Sequence, residues 1–590
     1  SNVEIKADWA TGNVAMTGLS WAGTTTFGVA ATGVEGLKTI VPAAGIASWY
    51  DYFNSQGTQF GNAPYSDLSW LSLYVSTRML DQDDWAGIWQ NYSNYINQLN
   101  KDQYAHDRNY SDVWKERDYT LHPENLKTSA LIVHGLNDDN VKTKHFELMY
   151  DALKKAGQDV KLYLHQGDHV YPAAMSRGYG ITANGQDFYD LLNTWLTHYL
   201  YGVDNHVESL PAVLAQNNYD PSKWTSYDNW KSSQRLFLNA SSKRLEETIS
   251  SDYAAAGVEI ANRNETVSKA SSKANLTFVS DVTEDTTIKG HIPVHFKAAL
   301  AKGQGKNFQI NALLVDVADE DFDVVGNGSV KQDKTADGFW MGSNLSNLSV
   351  AEYETIKTKY KVIAKGWINL ANPESGYDSA SSRASIEPKV GEYHDYTVYL
   401  QPNLYTVKKG HKLALVFNTY DPSDLTVEHP YEVTFKTDSI QVAIPIVEKT
   451  RAQKAAYVPS ATDTDYANLP EVEGAALVAP EVHYKEEYRL PSPEYFVQPS
   501  QTLPEKEEQM QRESARQEQS RLTLAVSYGP QFVSQGLAED PQVATSAVGG
   551  EQADHTLPQT GSKEHALGLL GLFTLTASSL VFWRKKKEDA

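Results

Sequence analysis

Cysteine is absent from all 590 residues. Disulfide staples, thiolate metal sites and a cysteine nucleophile are thereby excluded, which leaves serine, threonine or acid–base chemistry for any catalysis. Positive charge is also scarce, with 52 Lys and Arg against 74 Asp and Glu and a formal net charge of -22. Such a surface repels phosphate backbones, so nucleic acid is not an expected partner. The opening Ser1-Asn2-Val3-Glu4 has neither the charged region nor the apolar region of an export leader, and the chain is expected to lack its native N-terminus. No internal repeat of fixed period is evident.

What is present suits a large, mostly soluble, multidomain protein. Hydrophobic residues make up 41% and aromatics 11%, enough to bury several cores, and the length allows about four folded units. Residues 1–205 alternate short apolar strands with amphipathic helices. Leu131-Ile132-Val133-His134-Gly135 is a continuous apolar strand of the kind buried on both faces of a parallel sheet. Within this part, 48–115 is dense in Trp and Tyr and carries no strand signal, so it is expected to be an inserted helical cap. From 206 to 449 the apolar period shortens to two, as at Ile288, Ile292, Val294 and Phe296, which predicts an all-β sandwich or jelly roll. Residues 450–556 lose periodicity and fill with Pro, Glu, Gln, Ala and Ser, as a disordered spacer would. The fold class expected is therefore α/β with a cap, then all-β, then a disordered tail. The acidic stretch Asp316–Asp323 lacks metal-loop spacing and reads as a solvated loop.

The last residues read Leu557-Pro558-Gln559-Thr560-Gly561, then an apolar segment over 566–583, then Arg584-Lys585-Lys586-Lys587. The apolar segment is just long enough to cross a bilayer, and the basic cluster would stay inside. This order resembles the Gram-positive sorting signal. The resemblance implies that a sortase cuts between Thr560 and Gly561 and joins Thr560 to peptidoglycan, leaving the rest outside the cell as a wall-spanning linker and catalytic body.

Chemistry is carried by three loops. Gly18-Leu19-Ser20-Trp21-Ala22-Gly23 sits where a strand gives way to a helix, a turn that lifts a serine hydroxyl above a sheet; the usual second glycine is replaced by Ala22. Asp138 follows the strand 131–135, and His169 follows the strand 160–164. Nucleophile, acid and base thus appear in the order found in α/β-hydrolases, each after a strand of the same alternating half. Asp138 is preferred to Asp139 and Asp168, and His169 to His165 and His134, which read as structural.

Together with Thr32-Gly33-Val34-Glu35-Gly36-Leu37, Ala44-Gly45-Ile46-Ala47-Ser48-Trp49-Tyr50-Asp51-Tyr52 and His134-Gly135-Leu136-Asn137-Asp138-Asp139-Asn140-Val141, these residues resemble the Xaa-Pro dipeptidyl-peptidases, serine peptidases of the α/β-hydrolase superfamily, over about 1–449. The resemblance implies release of Xaa-Pro dipeptides from peptide N-termini by a Ser20–Asp138–His169 triad, without metal or cofactor. It also implies one oxyanion donor, the Trp21 N–H, and a proline pocket lined by Trp49, Tyr52 and Val141. Holding a free ammonium calls for a carboxylate, for which Asp67 is the candidate and Asp51 the competitor. Proline-containing peptides, sortase and peptidoglycan are the expected partners, with a homodimer left open. The second oxyanion donor of the family lies before residue 1, so this chain alone is expected to be weakly active or inactive. An esterase or acylase of the same superfamily, and a surface adhesin with a passive hydrolase remnant, are the alternatives.

Overall fold

The computed structural model describes residues 12–60, 67–76, 85–172, 182–183, 186–252, 271–331, 352–419, 421, 429–447 and 454–455. The sorting signal, its apolar segment 566–583 and nearly all of the 450–556 spacer lie outside these. Among the described residues no helix is long and apolar enough to cross a membrane. Two units are distinguished, one of residues 1–66 with 106–496 and one of residues 67–105 with 497–590.

The first unit begins with β1 (Val14–Leu19), α1 (Trp21–Ala31), β2 (Leu37–Ala43), α2 (Trp49–Phe53) and, after the second unit's helices, β3 (Ser129–Gly135), α5 (Lys144–Lys155), β4 (Val160–His165), α6 (Phe188–Tyr201), β5 (Val213–Gln216) and β6 (Trp224–Tyr227). Strands β1 to β5 pair in sequence order, all parallel. The period of two decides which helix covers which face. Ile40, Ile132, Leu162 and Leu164 point to Phe27 of α1 and to Phe146, Met149 and Leu153 of α5. Their chain neighbours Val41, Leu131, Val133 and Tyr163 point to Phe188, Leu191 and Trp195 of α6 on the other face. Helix α6 is pinned across β2 by Trp195 Nε1 donating to Thr39 Oγ1 at 2.7 Å.

Three expectations need correction here. The α/β sheet does not stop at 205, because β5 continues it in parallel and β6 adds an antiparallel strand. Its outermost strand, β16, is Lys454–Ala455, paired with β6 where a spacer was expected to have begun. The region 48–115 also contains a small hairpin, Asn54–Ser55 against Thr58–Gln59, turning through Gln56 and Gly57 at φ 44° and 78°. Two-residue strands are too short to leave an alternation in the sequence, but a turn with both φ values positive is the one whose twist suits a two-residue hairpin.

The β-rich part contains β7 (Gln234–Asn239), β8 (Glu246–Ser250), β9 (Asn275–Asp281), β10 (Thr286–Lys302), β11 (Gln309–Lys331), β12 (Glu352–Asn369), β13 (His394–Val407), β14 (Lys412–Asn418) and β15 (Glu432–Ile446). They form an antiparallel sheet of order β7-β15-β10-β13 with β8 beside β15, and a second of order β9-β14-β11-β12. The alternating Ile292, Val294 and Phe296 of β10 meet Ile310 and Leu314 of β11 and Phe417 of β14 in one core. The acidic stretch 316–323 is part of β11, not a loop. Asp316 accepts from Tyr405 OH and faces His411, while Asp319 and Asp323 pair with Lys412 and Lys357.

This β-rich part is joined to the α/β sheet by shared core. Leu404 of β13 packs in the cluster of Phe146 and Trp230, and Val325 of β11 in that of Tyr163 and Trp224. A buried polar knot adds direction. Glu147 on α5 accepts from Trp230 Nε1 at 2.6 Å and from His291 Nδ1, with Lys231 3.8 Å away; the His291 ring stacks on Tyr377 at 3.8 Å. Burial alone would raise the Glu147 pKa, but the charge and hydrogen bond of His291, helped by Lys231 and Trp230, hold it down at about 2.

The second unit is described by α3 (Leu68–Ser76) and α4 (Trp85–Tyr104). Asp67 starts α3, its Oδ1 accepting from Trp70 N and Ser69 Oγ at 2.7 Å each, which satisfies donors left open at a helix start.

Removing one partner of a buried charged pair leaves the other unsatisfied, so Glu147→Ala should destabilise the protein by about 3–5 kcal/mol, read as a lower Tm by calorimetry. Because the folded pKa of Glu147 is depressed, its contribution is present above its ordinary value near 4.5 and lost as pH falls towards 2. The Tm gap between parent and variant should therefore narrow between pH 5 and pH 3.

Candidate active site

The carboxyl ends of β1, β3 and β4 lie along one rim of the parallel sheet, and each feeds a loop that carries one expected site residue. Ser20 follows β1 at φ 60° and ψ −118°, a conformation that a non-glycine residue adopts only when its surroundings enforce it. The enforcement is visible in its neighbours. Ser20 N donates to Ala43 O at 2.9 Å and Ser20 O accepts from Thr24 N at 2.8 Å. A Cβ on Gly18 would come within 2.4 Å of the Ala22 Cβ, and one on Gly23 within 2.6 Å of Ala43 O. The methyl of Ala22 is thus accommodated because position 18 has none, so the departure from the usual glycine pattern leaves the turn intact. Trp21 opens α1, and the first N–H groups of a helix have no intrahelical acceptor.

Asp138 and His169 are brought together directly: His169 Nδ1 and Asp138 Oδ2 are 2.8 Å apart. The other oxygen, Oδ1, accepts from Asn140 N and Val141 N at 2.9 Å each, and His134 Nε2 lies 3.8 Å from Oδ2. Burial raises the Asp138 pKa, but the His169 charge and hydrogen bond, with His134 and Asn140 N–H, outweigh it and keep the carboxyl below its ordinary value. Burial likewise pulls His169 down, while the Asp138 charge and hydrogen bond push it above the usual imidazole value. Asp168 points the other way: burial and the charge of Asp138 lift it to about 6.

The remaining expected residues divide. Trp49 stacks edge-on against Trp21 at 5.3 Å and Tyr52 at 5.8 Å, making one aromatic group beside the serine turn. Trp49 Nε1 donates to Tyr119 OH at 3.0 Å, and Tyr52 OH to Asn140 Oδ1 at 2.8 Å, which ties that group to the Asp138 loop. Val141 is buried, its N bonded to Asp138 and its O to His134 Nε2. Asp67 belongs to the helical unit and caps α3. Asp51 is already committed to Lys144 Nζ at 2.6 Å and to Ser379 Oγ. His134 and His165 are buried within strands, as a structural role requires.

Sequence reasoning missed Asn140, Tyr119 and Asn137. Asn137 Nδ2 donates to Gln166 O at 2.8 Å, and its own N–H to Gly167 O at 3.0 Å, tying the Asp138 loop to the His169 loop. Its place beside Asp138 was the one available signal. Among the described residues no group of three or more His, Asp or Glu side chains is arranged to hold a metal ion.

With this geometry, residues 3–171 match the family model of the X-Pro dipeptidyl-peptidase (S15 family), and residues 205–454 that of the X-Pro dipeptidyl-peptidase C-terminal non-catalytic domain. The chain belongs to the X-Pro dipeptidyl-peptidase family. Residues 551–590 match the LPXTG cell wall anchor motif, which marks the chain for covalent attachment to the Gram-positive wall, outside the cell. An Xaa-Pro dipeptidyl-peptidase of Ligilactobacillus salivarius is 30% identical over 464 residues, covering 74% of this chain and 55% of that protein. One of Lactiplantibacillus plantarum is 32% identical over 448 residues, covering 71% and 52%. The chain spans about half the length of the curated relatives it matches. A solved CocE/NonD family hydrolase from Staphylococcus aureus is similar at 14% identity with a TM-score of 0.49, covering 74% of this chain and 73% of that one.

The Asp138 charge and hydrogen bond are the main causes that raise His169, so Asp138→Asn should lower the imidazole pKa, burial then being opposed by Asp168 alone. Titration of His169 by NMR checks the direction; an unchanged midpoint would remove Asp138 from the pair.

Proposed function

We propose that this chain carries the catalytic machinery of a wall-attached serine exopeptidase that releases Xaa-Pro dipeptides from the N-terminus of external peptides. The observation that supports it most is the 2.8 Å contact of His169 Nδ1 with the buried Asp138, on the same rim as a serine held at φ 60°. A serine hydroxyl is a poor nucleophile until an imidazole takes its proton, and the imidazole needs a carboxylate to fix its tautomer.

In this reading Asp138 holds the His169 Nδ1 proton, leaving Nε2 as the base. Ser20 Oγ attacks the carbonyl carbon of the proline residue while its proton passes to Nε2. The oxyanion that forms is met by the Trp21 N–H at the start of α1, where the helix end favours negative charge. His169 then returns the proton to the departing amine, and water repeats the sequence on the acyl-enzyme. Trp49, Tyr52 and Val141 form the wall of the proline pocket. A rigid apolar ring without an N–H packs better against aromatic faces than against donors. Asp67, the carboxylate expected for the substrate ammonium, lies in the helical unit, where its Oδ1 caps α3 and Tyr104 OH donates to its Oδ2 at 3.4 Å. The β-rich domain is a jelly roll, and sortase cleavage between Thr560 and Gly561 attaches the chain to peptidoglycan.

Turnover of an Ala-Pro anilide and of a simple aryl ester, by the full-length enzyme and by its Ser20→Ala variant, tests the reading. The variant should lose at least about 10⁴-fold in kcat on the anilide. Better turnover of the ester would favour an esterase of the same superfamily. Since the base must be unprotonated and the His169 pKa is raised, kcat/KM should climb with pH through a midpoint above 6.5.

A further inference from the structure

The two loops that deliver Asp138 and His169 are held by Asn137, whose N–H and Nδ2 both donate to the His169 loop. Its third polar group, Oδ1, accepts from Lys361 Nζ at 2.6 Å. Lys361 belongs to β12, in the β-rich domain, 224 residues away in the chain. The amide of Asn137 is thereby fixed in orientation, because the reverse flip would set its NH₂ against an ammonium and its oxygen against the Gln166 carbonyl.

We propose that Lys361 is a positioning residue for the catalytic pair: by holding Asn137 Oδ1 it locks the acid loop against the base loop, so that the β-rich domain takes part in catalysis through one ammonium group. The proposal rests on the roles given above to Asp138 and His169. Among the described residues, Asp139 and Lys365 are the charges that act on Lys361. Burial lowers its pKa to about 8, Asp139 raising it and Lys365 on the same strand lowering it. Lys365 is itself paired with Asp421 at 3.4 Å. Across the ladder, Asp316 opposes Lys361 but is taken by Tyr405 and His411 at 2.9 Å each. A charge-assisted bond to an amide oxygen in such surroundings is stronger than a neutral one, and loss of the proton weakens it.

The test is the rate at which a fluorophosphonate labels Ser20, followed against pH, with Ala-Pro anilide kinetics alongside. The probe has no titrating amine, so its profile reports the enzyme. Lys361→Met should lower both the labelling rate and kcat by roughly 10- to 100-fold at pH 7, as small misplacements of catalytic groups do, with KM within about twofold. Lys361→Arg, which keeps the charge, should restore the rate at pH 7 and hold it through pH 9, whereas the parent declines about pH 8 as its lysine deprotonates. A folded Lys361→Met with parental labelling overturns the proposal. Should that variant fail to fold, a Lys361→Arg profile that declines where the parent does overturns it equally. A parent labelled at Ser20 that ignores the anilide would sink the dipeptidyl reading alone and leave Lys361 to be decided by labelling; a parent not labelled at Ser20 would sink both.

Discussion

A carboxylate with no exposed side-chain surface, Asp138, governs the arrangement of everything around it. Removing such a group from water costs several kcal/mol unless donors replace the lost hydration. The donors are two consecutive backbone N–H groups, those of Asn140 and Val141, and the imidazole of His169. Two of the three come from the loop's own turn, so the loop cannot relax without stranding the charge. The third comes from another loop, which must be delivered to within a hydrogen bond. Asn137 performs that delivery, and the continuous burial of β3 and β4 gives both loops rigid starting points.

The β-rich domain is less an appendage than a wall of the α/β domain. Val325 and Leu404 sit in clusters whose other members come mostly from the catalytic half. Glu147, Trp230 and His291 then add contacts whose geometry is directional, where apolar packing alone would tolerate sliding. The hairpin at 54–59 is held in the same way: Gln56 Nε2 donates to Thr397 O at 2.8 Å and its Oε1 accepts from Tyr399 N at 3.1 Å. The element carrying Trp49 and Tyr52 is therefore braced from the far domain, and the aromatic group near Ser20 inherits that rigidity.

The sequence was legible wherever one chemical pattern had one structural outcome. The apolar run at 131–135 could only be an interior strand, the spacing of Phe146, Met149 and Leu153 only a helix face, and the period of two after 288 only a sheet. The order of Ser20, Asp138 and His169 already puts each of them after a strand of the alternating half. What could not be read depends on pairing at a distance. Val213–Gln216 has the same composition whether it extends the catalytic sheet or opens the β-rich one, and its partner β4 is fixed only by three-dimensional packing. Lys361 is an ordinary lysine in a strand of alternating lysines until Asn137 is found beside it. The helix beginning beside Asp67 was expected within the cap, but not that Asp67 Oδ1 would accept from Ser69 Oγ and Trp70 N.

The pairing of Lys454–Ala455 with β6 has a mechanical consequence. The polypeptide that runs on towards Thr560 departs from the rim strand of the catalytic sheet, not from the last long strand of the β-rich domain. Shear on a cell-wall tether would accordingly load Thr225 and Ser226 first, by peeling a two-residue ladder whose bonds break one at a time. Such a ladder yields at low force and lengthens the leash a little before tension passes along the chain to β15, so the load then falls on the β-rich sheet and not on the strands that bear Ser20, Asp138 and His169.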